Sequence, residues 1–182
     1  MLKRTSKARN IITNGNFALD SNSDGLADNW YFSLEPMDKY IQNGFQYFKP
    51  TDGTFDYSLR CGDIGTSRDC FYIAFDAVKI SGVAYLAEYF KIGSPTGATW
   101  RFGSTTGFLR AVVYPHQTAK GHRFLAFYGT GYENSAVSNV RFINLTTLFG
   151  AGNEPTAKWC DANFPNWFDG CLSKTSMSQM LK

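Results

Sequence analysis

The chain has 182 residues, which is enough for one well-buried core and too few for two large ones. Its formal net charge is +3, from 18 Lys and Arg against 15 Asp and Glu, which is too weak to imply nucleic-acid binding, since that would call for a concentrated basic stripe. No apolar run approaches the ~18 residues of a membrane span, and no apolar stretch follows Met1. We therefore expect synthesis in a cytoplasm, with neither a membrane span nor a secretory signal.

The N-terminal residues 1–9 contain a cluster of basic side chains, which are Lys3, Arg4, Lys7 and Arg9. We expect this segment to form a flexible basic arm. The arm is either solvated, or it docks on an acidic surface of a partner.

An acidic loop follows Asn10–Phe17, which is predicted to be a short strand and a turn. Calcium takes hard oxygen ligands at alternating loop positions. The loop offers carboxylate, amide or backbone carbonyl oxygens at such positions, namely Asp20, Asn22, Asp24, Leu26 and Asp28. Tyr31, however, stands where the bidentate Glu of an EF-hand would be. The loop is therefore either a structural calcium site between the first two strands, or a set of Asx turns with solvated carboxylates.

The run ITNGNF, the acidic loop and the DGLADNW that ends at Trp30 together resemble the opening of carbohydrate-binding-module-like jelly rolls. In that group a first strand, an acidic loop and a second strand led by Trp begin the sandwich. The resemblance covers roughly the first thirty residues. It implies an all-β fold, a jelly-roll β-sandwich.

The composition agrees with that fold class, because aromatic residues make up 16% of the chain alongside 17 Gly. From Trp30 onward, short aromatic runs alternate with turn residues every ~8–12 positions, which is typical of a sandwich or barrel. The predicted strands are Trp30–Leu34, Gly44–Phe48, Phe55–Cys61, Cys70–Val78, Ala84–Ile92, Thr99–Gly103, Phe108–Tyr114, Arg123–Tyr128 and Ala136–Asn144.

Two of these strands have a predicted orientation. The alternation in Cys70–Val78 directs Phe71, Ile73 and Phe75 toward the core. The apolar residues in Phe108–Tyr114 are nearly continuous, which predicts a strand buried on both faces. A turn over residues 104–107 is expected to separate it from Thr99–Gly103.

Four cysteines, Cys61, Cys70, Cys160 and Cys171, match no zinc spacing. Cytoplasmic folding favours reduced thiols. The alternative is a link between Cys61 and Cys70 across a hairpin.

Aromatic residues on strands and loops could also form a platform on which sugar rings stack. The candidates are the four tryptophans, Trp30, Trp100, Trp159 and Trp167, and tyrosines expected to be exposed, such as Tyr40, Tyr47, Tyr85, Tyr89 and Tyr132. We predict such a glycan-binding site at Trp100 and Arg101, on a strand between Gly-rich turns, together with Tyr132. For any single aromatic residue, burial in the core is the competing interpretation.

The last predicted strand is followed by a short aromatic helix. Gly150 and Gly152 break the regular structure, Asn153 is a suitable cap, and Pro155 fits the first helical turn before Pro165 stops the helix. We therefore predict a sandwich over residues 10–150 and a helical C-terminal clasp and tail over residues 151–182.

The run NLTTLFGAGNEPTAKWC at residues 144–160 resembles a D-L-T-x-x-FGAGNEPT-x-x-x-C pattern that recurs in tail, fibre and other virion proteins of phages and prophages. Asn144 stands where the pattern has Asp, so no charged role is transferred to it. The resemblance implies a virion structural protein. The residues expected to serve assembly are Phe149, Gly150, Gly152, Asn153, Glu154 and Pro155.

Catalytic patterns are absent from the sequence. His116 and His122 have no neighbouring nucleophile, and no phosphate loop, dinucleotide fingerprint or metal-hydrolase motif occurs. A carboxylate pair for glycoside hydrolysis needs only proximity in space, but Glu35, Glu88 and Glu133 lie in ordinary contexts. We therefore expect a protein that is not an enzyme and that uses no cofactor other than the calcium considered above.

Three functions compete. The first is a phage virion module of the tail, fibre or particle surface, made in the host bacterial cytoplasm, that forms a homo-oligomer with other virion proteins and serves host attachment. The second is a module that binds a host cell-surface glycan, and the third, less favoured, is a polysaccharide hydrolase.

Overall fold

The computed structural model describes residues 8–33, 37–51, 58–61, 69–84, 99–113, 125–129 and 133–166, with strand pairing but no side chains for 82–84 and 99–104. These ranges contain eight strands and two short helices. They are β1 (Trp30–Phe32), β2 (Met37–Gln42), β3 (Phe45–Pro50), β4 (Ser58–Cys61), β5 (Phe71–Ala84), β6 (Thr99–Val113), β7 (Ala126–Tyr128), β8 (Ser135–Asn144), α1 (Leu145–Phe149) and α2 (Ala157–Asn163).

The strands form two antiparallel sheets that share the long hairpin β5–β6. The first sheet has the order β2-β3-β8-β5-β6, and the second has the order β1-β4-β7-β5-β6. β5 pairs with β8 over Phe71–Val78 and with β7 over Gly82–Ala84. Its register with β6 shifts between Ala77 and Gly82, and such irregularities bend a strand so that it can pass from one sheet to the next. The all-β jelly-roll sandwich with a short C-terminal helical segment, expected from the sequence, is confirmed.

The main core lies between the two sheets. Phe71, Ile73 and Phe75 of β5 are all buried in it, which confirms their predicted orientation. Phe75 meets Phe127 of the second sheet edge-on at 4.8 Å between ring centroids, and Trp30 lies 6.1 Å from the same ring. Burial of each large side chain contributes about 1.5–3 kcal/mol, so these contacts hold the sheets together.

The strand β2 was not predicted, whereas β3 overlaps the predicted strand Gly44–Phe48. A tight turn joins β2 to β3 in a hairpin. Its two loop residues, Asn43 and Gly44, have φ of +52° and +73°, and Gln42 pairs with Phe45 directly across the turn. Positive φ at both positions is the requirement of a two-residue type I′ turn, which Asn-Gly meets at least cost. The strand β2 is therefore specified by a local turn signal.

Other predictions are corrected by the structure. The expected turn at 104–107 is wrong, because β6 runs unbroken through it, and Phe108 is not buried but 43% exposed. Leu145–Phe149, for which no element was predicted, forms the short helix α1, and α2 is capped by Thr156 instead of Asn153. The short strand expected within Asn10–Phe17 is only an isolated bridge between Asn10 and Ile143. The predicted strand Ala84–Ile92 lies almost wholly outside the described residues, as do residues 1–7 of the basic arm and residues 167–182 of the tail.

The described cysteines, Cys61, Cys70 and Cys160, are buried free thiols, so the Cys61–Cys70 link does not form. Cys61 belongs to the main core, whereas Cys70 lies in a second apolar cluster. Burial raises the pKa of both Cys61 and Cys160 to about 12, which keeps these thiols protonated and unreactive. No helix in the described ranges has the length and apolar character needed to cross a membrane.

Gly25 in the acidic loop provides a test of the packing between this loop and β2. A Cβ at Gly25 would lie 2.7 Å from the carbonyl oxygen of Lys39, whereas a Cβ at Gly152, which has the same φ of +81°, would meet nothing within 4 Å. Gly152→Ala should therefore cost only the left-handed backbone strain of about 1–2 kcal/mol. Gly25→Ala should cost clearly more in the free energy of unfolding, measured by denaturant titration. Equal losses in the two variants would contradict the tight packing.

Candidate functional site

The outer face of the first sheet carries the candidate site. Strand alternation directs Tyr72, Ala74, Asp76 and Val78 of β5 to this face, opposite the side chains that enter the main core. The register then places residues from all five strands beside them. They are Phe108, Arg110 and Val112 on β6, Ala136, Arg141 and Ile143 on β8, Phe45, Tyr47 and Lys49 on β3, and Asp38, Tyr40 and Gln42 on β2. One end of this face is covered and the other is open.

The covered end lies beneath residues 145–166, which form a helical cap. Tyr72, Ile143, Leu145, Cys160 and Phe164 make up an apolar cluster there, and all five are buried. The cap is therefore packed on the sheet by its own small core.

Polar contacts fasten the same cap. The hydroxyl of Tyr72 donates to Oδ1 of Asp161 at 2.5 Å, and Arg110 forms an ion pair with Oδ2 of that carboxylate. Burial, with the Asp161 hydrogen bond second, raises the pKa of Tyr72, so its hydroxyl remains a donor. Asp161 thus ties α2 to both β5 and β6.

Arg141 lies at the border between the covered and open ends and is 2% exposed. Its Nη1 donates to the carbonyl of Pro165 at 2.8 Å, while its Nε is buried without a hydrogen-bond partner among the described residues. The guanidinium carbon lies 5.6 Å from the ring centroid of Tyr72 and 5.4 Å from that of Phe108. These cation–π contacts connect the cap to the exposed ring of Phe108.

The open end carries exposed aromatic rings on both of its outer strands. Tyr40 on β2 is 40% exposed and stacks on Tyr47 of β3, with ring centroids 4.8 Å apart and an interplanar angle of 4°. Phe45 lies beside Tyr47 at 6.2 Å, and Phe108 stands on β6 at the other side of the sheet. Because β2 is the terminal strand, one face of the Tyr40 ring covers Tyr47 and the other is left toward the edge.

A polar pair occupies the centre of this open end. Asn139 donates from Nδ2 to Oδ2 of Asp76 at 2.8 Å. Asn139 has a φ of +50° and lies in a β-bulge of β8. The bulge is visible in the register: Ala74 pairs with Arg141 and Asp76 pairs with Ser138, so β8 has one residue more than β5 between the two pairs. Bulges commonly redirect a side chain in this way. We call the set Tyr40, Phe45, Tyr47, Asp76, Phe108 and Asn139 the aromatic face.

The predicted glycan site does not coincide with the aromatic face. Trp100 and Arg101 lie on β6, where they pair with Val83 and Gly82 in the part of the hairpin that joins the second sheet. Their side chains, and Tyr132 as a whole, lie outside what the structure describes. Tyr40 and Tyr47 were among the tyrosines expected to be exposed for stacking, but the site itself was predicted at Trp100 and Arg101. The strand β2, which carries Tyr40, was not predicted, although the Asn43-Gly44 turn would have revealed it.

In the acidic loop, backbone N–H groups bind the side-chain oxygens of the predicted calcium ligands. Asp20 accepts from the N–H groups of Asp24 and Gly25, and Asp28 accepts from that of Ser21. The N–H of Leu26 donates to Oδ1 of Asp24 at 2.9 Å and is the main cause of a lowered Asp24 pKa.

Asn22 accepts from the N–H of Asp24, so the loop has the hydrogen bonds of the Asx-turn alternative. A shallow cleft of about 440 Å³ lies against it. Within the described ranges, no three His, Cys, Asp or Glu side chains gather as a metal site would require. Calcium in this loop stays a prediction, which melting with and without a chelator tests.

The FGAGNEPT segment, Phe149–Thr156, forms the turn between the two helices of the cap. Glu154 accepts from the Thr146 hydroxyl at 2.6 Å and from the N–H of Gly152 at 2.8 Å, and the Thr146 oxygen also accepts from the N–H of Cys70. Gly150 and Gly152 have positive φ, and residues 150–153 are exposed.

The rest of this run has local roles as well. Asn144 caps α1 by accepting from the N–H of Thr147, and its Nδ2 donates to Asp69 at 2.7 Å. The ring of Phe149 packs edge-on against Trp159. Much of the run is therefore engaged in joining the cap to the sandwich.

Comparison with solved structures shows similarity in fold. A family 4 carbohydrate-binding module superposes with a TM-score of 0.51 at 16% sequence identity, over 73% of this chain and 99% of that chain. Tailspike protein 4 of bacteriophage CBA120 gives 0.46 at 15% identity, over 73% of this chain and 21% of the tailspike domain. A family 29 carbohydrate-binding module, complexed with cellulohexaose, gives 0.42 at 10% identity, over 68% and 84%.

No protein-family model and no curated protein sequence matches the chain.

The Glu154 contacts predict a pH-dependent contribution to stability. The hydrogen bond from Thr146 is the first cause that lowers the pKa of Glu154 from 4.5. A carboxylate with a lowered pKa in the folded state stabilises above its unfolded pKa, and that contribution is lost as the pH falls through the folded pKa. Glu154→Gln should therefore lower Tm at pH 7, and the difference from wild type should shrink below pH 4.5.

The matched control is Glu133→Gln, which removes an exposed carboxylate that, among the described residues, pairs with Lys79 at the surface. Exposed pairs of this type contribute little. A Tm difference for Glu154→Gln that stays constant from pH 7 to pH 3 would argue against an ionised Glu154 as the fastening group.

Proposed function

We propose that the protein is a glycan-binding module that uses the aromatic face and carries out no reaction. The observation that carries this proposal is the combination of two exposed rings, Tyr40 and Phe108, on the outer strands with the Asp76–Asn139 pair between them. Flat rings cover the apolar faces of sugars at small entropic cost, and the polar pair can accept and donate hydrogen bonds to hydroxyls.

The dimensions of the aromatic face suit an extended sugar chain. Tyr40 and Phe108 stand on β2 and β6, which are separated by four strand intervals. At about 4.8 Å per interval the two strands are ~19 Å apart across the sheet. This separation fits an oligosaccharide or polysaccharide strand better than a single sugar ring. The fold shared with a family 4 carbohydrate-binding module supports the same proposal.

A second candidate is a phage virion protein that acts by assembly and host attachment, in contact with other virion proteins and as a homo-oligomer. The observation that favours it is the FGAGNEPT segment, whose exposed tip at residues 150–153 is held rigidly by Glu154 and is available to a neighbouring subunit. The two functions are compatible, because a virion protein that binds a host surface glycan would attach the particle.

The glycan-binding proposal predicts the effect of removing single rings. Tyr40→Ala and Phe108→Ala should each weaken binding to a polysaccharide that the wild type binds by about tenfold, since one aromatic contact is worth roughly 0.5–1.5 kcal/mol beyond its buried area. Binding is measured by isothermal titration calorimetry after a glycan array has identified the ligand. Circular dichroism checks that the variants fold.

The control is Tyr31→Ala, because Tyr31 is 42% exposed but lies on β1 in the second sheet. The Tyr31→Ala variant should bind the glycan like the wild type. If all three variants bind as tightly as the wild type, the aromatic face is not the binding site. If the array shows no ligand for the wild type, the proposal itself fails.

The virion proposal predicts that the protein is present in purified phage particles. Ala151→Trp, which enlarges the exposed tip without touching the aromatic face, should reduce its incorporation while leaving the isolated protein folded. Immunoblotting of particles purified on a density gradient measures this. Full incorporation of the variant would show that the tip makes no assembly contact. Absence of the wild-type protein from particles would refute the virion proposal.

A further inference from the structure

We propose that Asp76 is the specificity-determining residue of the aromatic face and selects neutral, hydroxyl-rich glycans against anionic ones. This inference rests on the proposed glycan binding. Asp76 is on β5, where it pairs with Phe108 of β6 on one side and with Ser138 of β8 on the other. Its carboxylate therefore lies between the outer strands at the open end of the sheet face. A sugar chain that reaches from Tyr40 to Phe108 would have to pass over it.

The carboxylate is held in a defined orientation. The bulge in β8 brings Asn139 beside it, and among the described residues the Nδ2 donor binds Oδ2. The other carboxylate oxygen and the carbonyl oxygen of Asn139 are acceptors that can receive sugar hydroxyls. An orientation set by the backbone bulge means that little side-chain entropy is lost when a ligand binds.

The neighbouring cations are engaged by other groups. Lys79 pairs with Glu133 at 2.8 Å, Arg110 pairs with Asp161, and Arg141 is buried and donates to the Pro165 carbonyl. Within the described residues Asp76 takes part in no ion pair. Asp76 is therefore the charged member of the aromatic face itself, while the guanidinium groups of Arg110 and Arg141 lie over the Phe108 ring at the border with the cap.

This arrangement discriminates between two classes of glycan. Hydroxyl donors gain a charge-assisted hydrogen bond to the carboxylate, which is stronger than a bond between neutral groups. A uronate or other acidic sugar placed at the same point brings a like charge, which is costly at a partly desolvated interface. The aromatic rings contribute stacking to both classes, so the difference between them depends on Asp76.

The test uses the full chain and the variant Asp76→Asn, which keeps the shape of the side chain and an acceptor for Asn139. The control variant Asp28→Asn makes the same change of net charge outside the aromatic face and keeps an oxygen that can accept from Ser21. A glycan array with neutral and uronic-acid oligosaccharides is read first. Titration calorimetry with hydroxyethyl cellulose, galactomannan, alginate and polygalacturonate follows.

We expect the wild type to bind neutral glycans and not the uronic acids. Asp76→Asn should lose about tenfold in affinity for the neutral ligand, as removal of one bond to a charged group predicts, and should narrow or abolish the discrimination. Asp28→Asn should behave like the wild type. If the wild type prefers uronic acids, or if Asp76→Asn keeps the selectivity of the wild type, the inference about Asp76 is wrong, although the proposed glycan binding is not affected. Failure of the wild type to bind any glycan refutes the proposed function, and the inference with it.

Discussion

The alternation of side chains along β5 is the constraint on which the rest of the structure depends. Phe71, Ile73 and Phe75 fill the space between the sheets, while Tyr72 and Asp76 point to the outer face. β5 is also the strand that both sheets share, so a shift of one residue in its register would exchange the core with the outer face throughout. The apolar inner set makes such a shift too costly, and this secures the position of every outer residue as well.

The residues that follow β8 cover one end of the outer face and leave the other end open. The chain turns into α1 at Asn144, returns through the Glu154 contacts, and lays α2 over Tyr72. The described part of the cap reaches the level of Arg110 and Arg141, and beyond them the sheet surface carries polar and aromatic groups. A fully capped sheet would have no room for a ligand, and an uncapped one would expose Ile143 and its apolar neighbours to water.

The motif that first draws attention to the sequence and the site that the structure presents are different parts of the molecule. The FGAGNEPT segment is explained largely by the geometry of the cap: glycines where φ is positive, and a glutamate where a hydroxyl and an N–H need an acceptor. The aromatic face has no unusual sequence, because its members come from five strands and are ordinary strand residues. Its chemistry arises from their juxtaposition.

The sequence by itself determined the fold class and the orientation of Phe71, Ile73 and Phe75. Alternation of apolar and polar residues with period two is a local property of the sequence, and it indicates directly which side chains of a strand are buried. The Asn43-Gly44 turn was equally local. Only the tertiary structure decided that Phe108 is exposed and that Asn139 meets Asp76. The first depends on the order of the strands, and the second depends on a bulge that brings together residues 63 positions apart. Local pattern sets which way a side chain points, whereas long-range pairing sets which other side chains it meets there.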